Sequence, residues 1–175
     1  MALDIVSKYR SGLIAVFLIV FQSGAWGLPQ VYQKPSDFLR SSFGEIPPTR
    51  GISLTQSQQS RVRSILGKNY HQKVIRYWAS NERCAFILEA VGKTELITTG
   101  YVIDQGKIES VKVLVYRESH GSEVARSFFT HQFRGRSLGS DNRLDQQPRN
   151  IAGATLSVRA LTKMARLALY LETLR

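Results

Sequence analysis

Thr155 and Ser157 are the hydroxyls in this sequence whose surroundings best suit chemistry. They lie in the stretch Asn150-Ile151-Ala152-Gly153-Ala154-Thr155-Leu156-Ser157. Over residues 156–174, Leu161, Met164, Ala168 and Leu171 recur at helical spacing, while Arg159, Lys163 and Arg166 fall largely on other faces. The pattern predicts an amphipathic C-terminal helix with Thr155 at or just before its N-terminus. At such an end the first backbone N–H groups lack intrahelical partners and the helix dipole is positive, which suits a phosphate held close to the chain. Gly153 and Ala154 would let that phosphate approach, Thr155 offers a hydroxyl for covalent attachment, and Ser157 offers a second hydrogen-bonding group. On local chemistry alone the same residues read more simply as an N-cap and a turn glycine, because small-residue helix starts are common.

A second polar stretch, Tyr116-Arg117-Glu118-Ser119-His120-Gly121, follows a run with strand character. Ligand-contacting residues often sit at such strand ends. Downstream stand Phe129 and then Gln132-Phe133-Arg134-Gly135. Taken singly, each has an ordinary reading. Glu118 can be a surface charge paired with Arg117 or Arg126, the two Phe residues can be plain core at helical spacing, and His120 can be a solvated loop residue rather than a proton donor.

Together these blocks are more specific. The segment from Ala152 to Ser157 resembles the flavin-attachment motif of the FMN-binding domain family, which includes the flavoprotein subunits of the sodium-pumping quinone reductase and of related membrane electron-transport complexes. That motif runs roughly Asp-x-x-Ser/Thr-Gly-Ala-Ser/Thr-x-Ser/Thr. Thr155 matches the hydroxyl that carries FMN through a phosphoester, and Gly153, Ala154 and Ser157 also match. Ala152 stands where Ser or Thr is usual and Arg149 where Asp is usual, so one hydroxyl is lost and one charge reversed. The block from Glu118 to Gly135 is similar to the family segment in which a Glu precedes a Gly-containing turn, an aromatic residue and Phe-x-Gly.

The resemblance covers residues 73–175. It implies FMN as cofactor, with Thr155 as the attachment point and Gly153, Ala154, Leu156 and Ser157 around the phosphate. Glu118 and Gly121 would shape the pocket beside the isoalloxazine, and Phe129 and Phe133 would form its apolar walls. It further implies a separate magnesium-dependent FAD:protein FMN transferase as one partner and a membrane-bound redox protein as another. Nothing points to a metal site or a catalytic residue in the chain itself.

The elements that must position these residues are legible in part. Residues 73–78, 83–90, 96–103 and 107–116 are rich in β-branched and aromatic side chains, and Asp104-Gln105-Gly106 reads as the hairpin turn joining the last two. In the last of these runs Val111, Val113 and Val115 share one parity, which is expected to face the core. Ahead of them, Ser36 or Asp37 can cap a helix through Phe38 and Leu39 that ends at Gly44; residues 44–51, with Pro47-Pro48, read as a linker. Thr55-Gln56-Ser57-Gln58 has capping-box form and opens a helix carrying Val62, Ile65 and Leu66 up to Gly67. Ser122 and Glu123 can start a short helix reaching Phe133, and residues 138–148 read as a polar loop. The fold class expected is therefore α+β: a single domain with an antiparallel sheet of about four strands covered by helices, the C-terminal helix following the attachment motif.

Residues 1–27 read as an export signal or, less simply, an N-terminal membrane anchor. Lys8 and Arg10 precede an unbroken apolar run from Leu13 to Phe21, and Ala25-Trp26-Gly27 is a small-x-small cleavage site. Residues 28–72 then form a helical N-terminal extension and 73–175 the FMN-binding domain, located in the periplasm or on the outer face of the inner membrane. Hydrophobic content of 43% argues against extended disorder. Cys84 is the only cysteine, so no intrachain disulfide can form, and it reads as a small buried hydrophobe. The formal net charge of +11 favours an anionic membrane surface or an acidic redox partner. Lys and Arg are dispersed without a basic run interleaved with aromatics, which argues against nucleic acid. Two readings from other classes stand beside this one: a flavin-free or loosely FMN-binding exported interaction protein docking on a membrane complex through its basic surface, and a reductase. The sequence has neither a nicotinamide-binding Gly-rich loop nor a nucleophile beside a base, which disfavours the reductase.

Overall fold

A computed structural model describes residues 28–72 and 74–175; the expected export signal lies outside the described residues. In chain order the elements are β1 (Gln30–Val31), α1 (Pro35–Phe43), β2 (Thr49–Ser53), α2 (Gln56–Leu66), β3 (Val74–Ser80), β4 (Arg83–Val91), β5 (Leu96–Asp104), β6 (Lys107–Tyr116), α3 (Ser127–Thr130) and α4 (Thr155–Glu172). Short 3-10 turns, Ser122–Ala125 and His131–Phe133, flank α3. The strands form one antiparallel sheet in the order β1-β6-β5-β4-β3-β2, with helices on both faces. The α+β class holds, but the sheet has six strands rather than about four. Both additional strands are edges drawn from the region expected to be helices and linker. β1 is two residues long. β2 contains Gly51 and buries only Ile52, so it lacks the alternation by which a strand is recognised.

Local chemistry sets most boundaries. Thr55 and Gln58 form the expected reciprocal capping box, the Thr55 N–H donating to Gln58 Oε1 at 2.8 Å. Helix α1 begins two positions earlier than Ser36 capping would give, with Lys34 at the N-cap. Pro35 occupies its first turn, where a missing N–H costs nothing, and no side chain caps it. In the β5–β6 turn Gln105 and Gly106 both have positive φ, the conformation that a two-residue hairpin turn requires.

One sheet face carries the main core, in which Ile65 and Leu66 of α2 and Leu161, Ala165 and Leu167 of α4 meet Ile75, Phe86, Tyr101 and Val113. On the other face Phe38 and Leu39 of α1 pack with Ala85, Val102 and Leu114. Gly100 is needed there, because a Cβ would lie 2.5 Å from the Phe38 ring. Cys84 is fully buried in the main core, and burial pushes its thiol up to about 12.

β6 departs from a simple alternation. Ile103 pairs with Ile108 while Val102 pairs with Ser110, which leaves Glu109 extra; Thr99 pairs with Val113 while Thr98 pairs with Val115, which leaves Leu114 extra. Each bulge flips the side-chain parity beyond it. Val111 and Val113 face the main core as expected, but Val115 turns to the α1 side, and Ile108 and Tyr116 point into the main core instead.

Candidate functional site

The second bulge aims Tyr116 at the start of α4. Its hydroxyl donates to the His120 carbonyl at 2.6 Å and lies 2.9 Å from Ser157 Oγ. With the phenol proton committed to the carbonyl, Ser157 is the donor to the phenol oxygen. Burial raises the Tyr116 pKa, and the Ser157 hydrogen bond opposes that rise. Ser157 itself is buried.

The turn after β6 rests on the attachment stretch. Gly121 has φ of +87°, and a Cβ there would sit 3.0 Å from the Tyr116 hydroxyl and 3.1 Å from Ala154 Cβ. Glycine is therefore required both for conformation and for close approach. Glu118 reaches back to the β4–β5 turn, where its carboxylate accepts from the backbone N–H groups of Lys93, Thr94 at 2.8 Å and Glu95 at 2.9 Å, and from the Thr94 hydroxyl. Gly92 makes room, since a Cβ at that position would lie 2.7 Å from Glu118 Oε1. Partial desolvation pushes the Glu118 carboxyl up, but the backbone donors of Glu95, Thr94 and Lys93 together outweigh it and hold the pKa below its ordinary value. Glu118 thus binds two loops together rather than pairing with Arg117 or Arg126.

Helix α4 starts at Thr155, with Ala154 as N-cap and no side chain capping it. Its first-turn N–H groups are left to solvent or a ligand. Gly153 has φ of +80° and open space around it. The Thr155 hydroxyl oxygen accepts from Asn150 Nδ2 at 2.9 Å, which leaves its own proton uncommitted.

Glu118, Gly121, Gly153, Ala154, Thr155, Leu156 and Ser157 line one cleft of about 770 Å³, together with Lys93, His120 and Glu123. Its size is that of an ordinary small-molecule site. Leu156 is 44% exposed, an apolar side chain at its mouth. Phe129 and Phe133 do not line this cleft. They are fully buried, packed edge to face at 5.6 Å in the core that also holds Ala154 and Val158. They follow the core reading.

Three contributors were not singled out from sequence. Tyr116 is hidden by the bulge at Leu114, and Lys93 sits in a turn with no chemical signature of its own. Asn150 opens the attachment stretch, and its five-residue offset from Thr155 was the available signal. The ring of His120 lies beside the Ser119 hydroxyl, Nδ1 to Oγ at 2.9 Å, and is exposed.

Residues 92–170 match the family model for the FMN-binding domain. The match begins at Gly92, beneath the Glu118 carboxylate, and ends near the close of α4, so it contains both loops and every expected site residue. It starts later than the resemblance read from residue 73. No curated protein and no solved structure matches the chain. Residues 92–170 are thus an FMN-binding domain, and the chain is a flavin-binding protein with FMN as its cofactor.

Proposed function

We propose that this chain is an exported flavoprotein that carries FMN esterified to Thr155 and relays electrons in a membrane-associated or periplasmic redox chain. The observation that carries this reading is the position of the Thr155 hydroxyl, at an uncapped helix start on the wall of the cleft that also holds Glu118 and Gly121. The residues present fit the group. The free N–H groups and positive end of α4 suit a phosphate, Gly153 and Gly121 keep the backbone approachable, and the Lys93 side chain stands across the cleft.

When bound, FMN supplies one- or two-electron transfer. The chain's own residues do the holding. Thr155 is an acceptor and not a catalyst: its oxygen would replace AMP on the FMN-side phosphorus of FAD, with the hydroxyl proton lost to a separate magnesium-dependent FMN transferase. Tyr116 and Ser157 fix the first turn of α4, and Glu118 fixes the loop opposite. Export rests on the charged and apolar pattern of residues 1–27. Covalent attachment suits that location, because free flavin lost outside the cytoplasm is not recovered. A membrane-bound redox protein is the partner proposed, with the basic surface favouring an acidic face.

The test is denaturing gel electrophoresis of protein co-produced with a flavin transferase, imaged for flavin fluorescence. Fluorescence that stays with the denatured wild-type band and is missing from Thr155→Ala supports the ester. A dark wild-type band contradicts it.

A further inference from the structure

A second depression, about 410 Å³, adjoins the first and shares Thr155 with it. Its floor is one stripe of α4: Thr155, Arg159, Lys163 and Arg166 follow at intervals of four, four and three residues, which places them on one helix face. Asn150 and Gln147 form the opposite wall, and no carboxylate lines it. Arg166 is committed, donating from Nε to the Asn142 carbonyl. Arg159 and Lys163 are exposed and make no ion pair among the described residues. Like charges four residues apart weaken a helix slightly, so this stripe is an arrangement that an anion would relieve.

Building on the proposed flavin site, we infer that Asn150 and Arg159 form a phosphate-holding groove beside Thr155, with Lys163 adding positive charge one turn further, and that it retains phosphorylated flavins independently of the ester. Asn150 Nδ2 already donates to the Thr155 oxygen, the atom to which the phosphorus would be joined. Arg159 is one helical turn from Thr155, within reach of a group on that oxygen, and its planar fork matches phosphate oxygens. The first cleft is then left for the uncharged part of the flavin. The groove recognises the phosphoryl group and not the ring system.

The experiment titrates Thr155→Ala protein, and Thr155→Val as a second ester-free variant, with FMN and with riboflavin by flavin fluorescence. FMN is expected to bind at least about tenfold more tightly than riboflavin, the size of one charge-assisted contact. Adding Arg159→Gln should bring FMN close to riboflavin, whereas Arg63→Gln on α2 should leave the difference intact. Inorganic phosphate should compete with FMN and not with riboflavin. Equal affinity for the two flavins, or an Arg159→Gln variant that keeps the full preference, overturns the groove while leaving the flavin cleft standing. Binding of neither flavin overturns the groove and the cleft together.

Discussion

The hydroxyls of Tyr116 and Ser157 meet at 2.9 Å, joining the end of β6 to the first turn of α4 across forty-one positions of sequence. Because the same phenol also holds the His120 carbonyl, one side chain sets the spacing of both loops that form the cleft. Tyr116→Phe removes both bonds and leaves a buried serine hydroxyl without its acceptor. The expected loss is about 1–3 kcal/mol, read by urea denaturation, with weaker flavin retention alongside. A variant as stable and as well loaded as wild type would show that the tie is dispensable.

Gly121 and Gly135 offer a matched pair. Both have positive φ, +87° and +75°, but only at Gly121 would a Cβ meet its neighbours. Gly135→Ala should lose about 1 kcal/mol through backbone strain alone. Gly121→Ala should lose more and also reduce flavin incorporation, because the added methyl pushes the turn off Ala154. Equal losses from the two substitutions, measured by thermal denaturation and flavin absorbance, would contradict the contact.

Glu118 should make stability depend on pH in a defined direction. Its folded pKa is lowered, so the folded state favours the carboxylate. That contribution is fully present above the unfolded value of about 4.3 and is lost as pH falls through the lower folded value. The melting-temperature gap between wild type and Glu118→Gln should therefore be widest near neutral pH and should narrow below about pH 4. A gap that grows on acidification would reverse the assignment.

Phe129 separates core from cofactor wall. With its ring fully buried against Phe133, Phe129→Leu should lower stability by about 1–2 kcal/mol while leaving the flavin absorption spectrum unchanged. A shifted flavin band with little change in stability would return Phe129 to the cleft.

The legible part of this protein was its local chemistry. The Thr55–Gln58 box, the Asp104-Gln105-Gly106 turn, four strands and the α4 periodicity are each specified within a few residues of themselves, and the attachment stretch was readable as a motif. Other features depend on partners distant in sequence. β2 is a strand because Ile52 finds Ile75 across the sheet, although its own composition has little strand character. The bulges at Glu109 and Leu114 exist only relative to β5, so neither the reversal of Val115 nor the inward turn of Tyr116 could be read from alternation. Glu118 looked like a pocket or surface charge because its three backbone donors lie more than twenty residues away, in the β4–β5 turn. The two phenylalanines were evenly balanced between core and wall, and packing resolved them.

The central claim is that Thr155 carries the flavin. Intact and peptide-level mass spectrometry of wild type, Thr155→Ser and Thr155→Ala, each co-produced with a flavin transferase and FAD, tests it most directly. The account predicts a mass increase of one FMN less one water in wild type and Thr155→Ser, located on the peptide containing residue 155, and none in Thr155→Ala. An unmodified wild-type mass, or an FMN adduct that persists in Thr155→Ala, would contradict it.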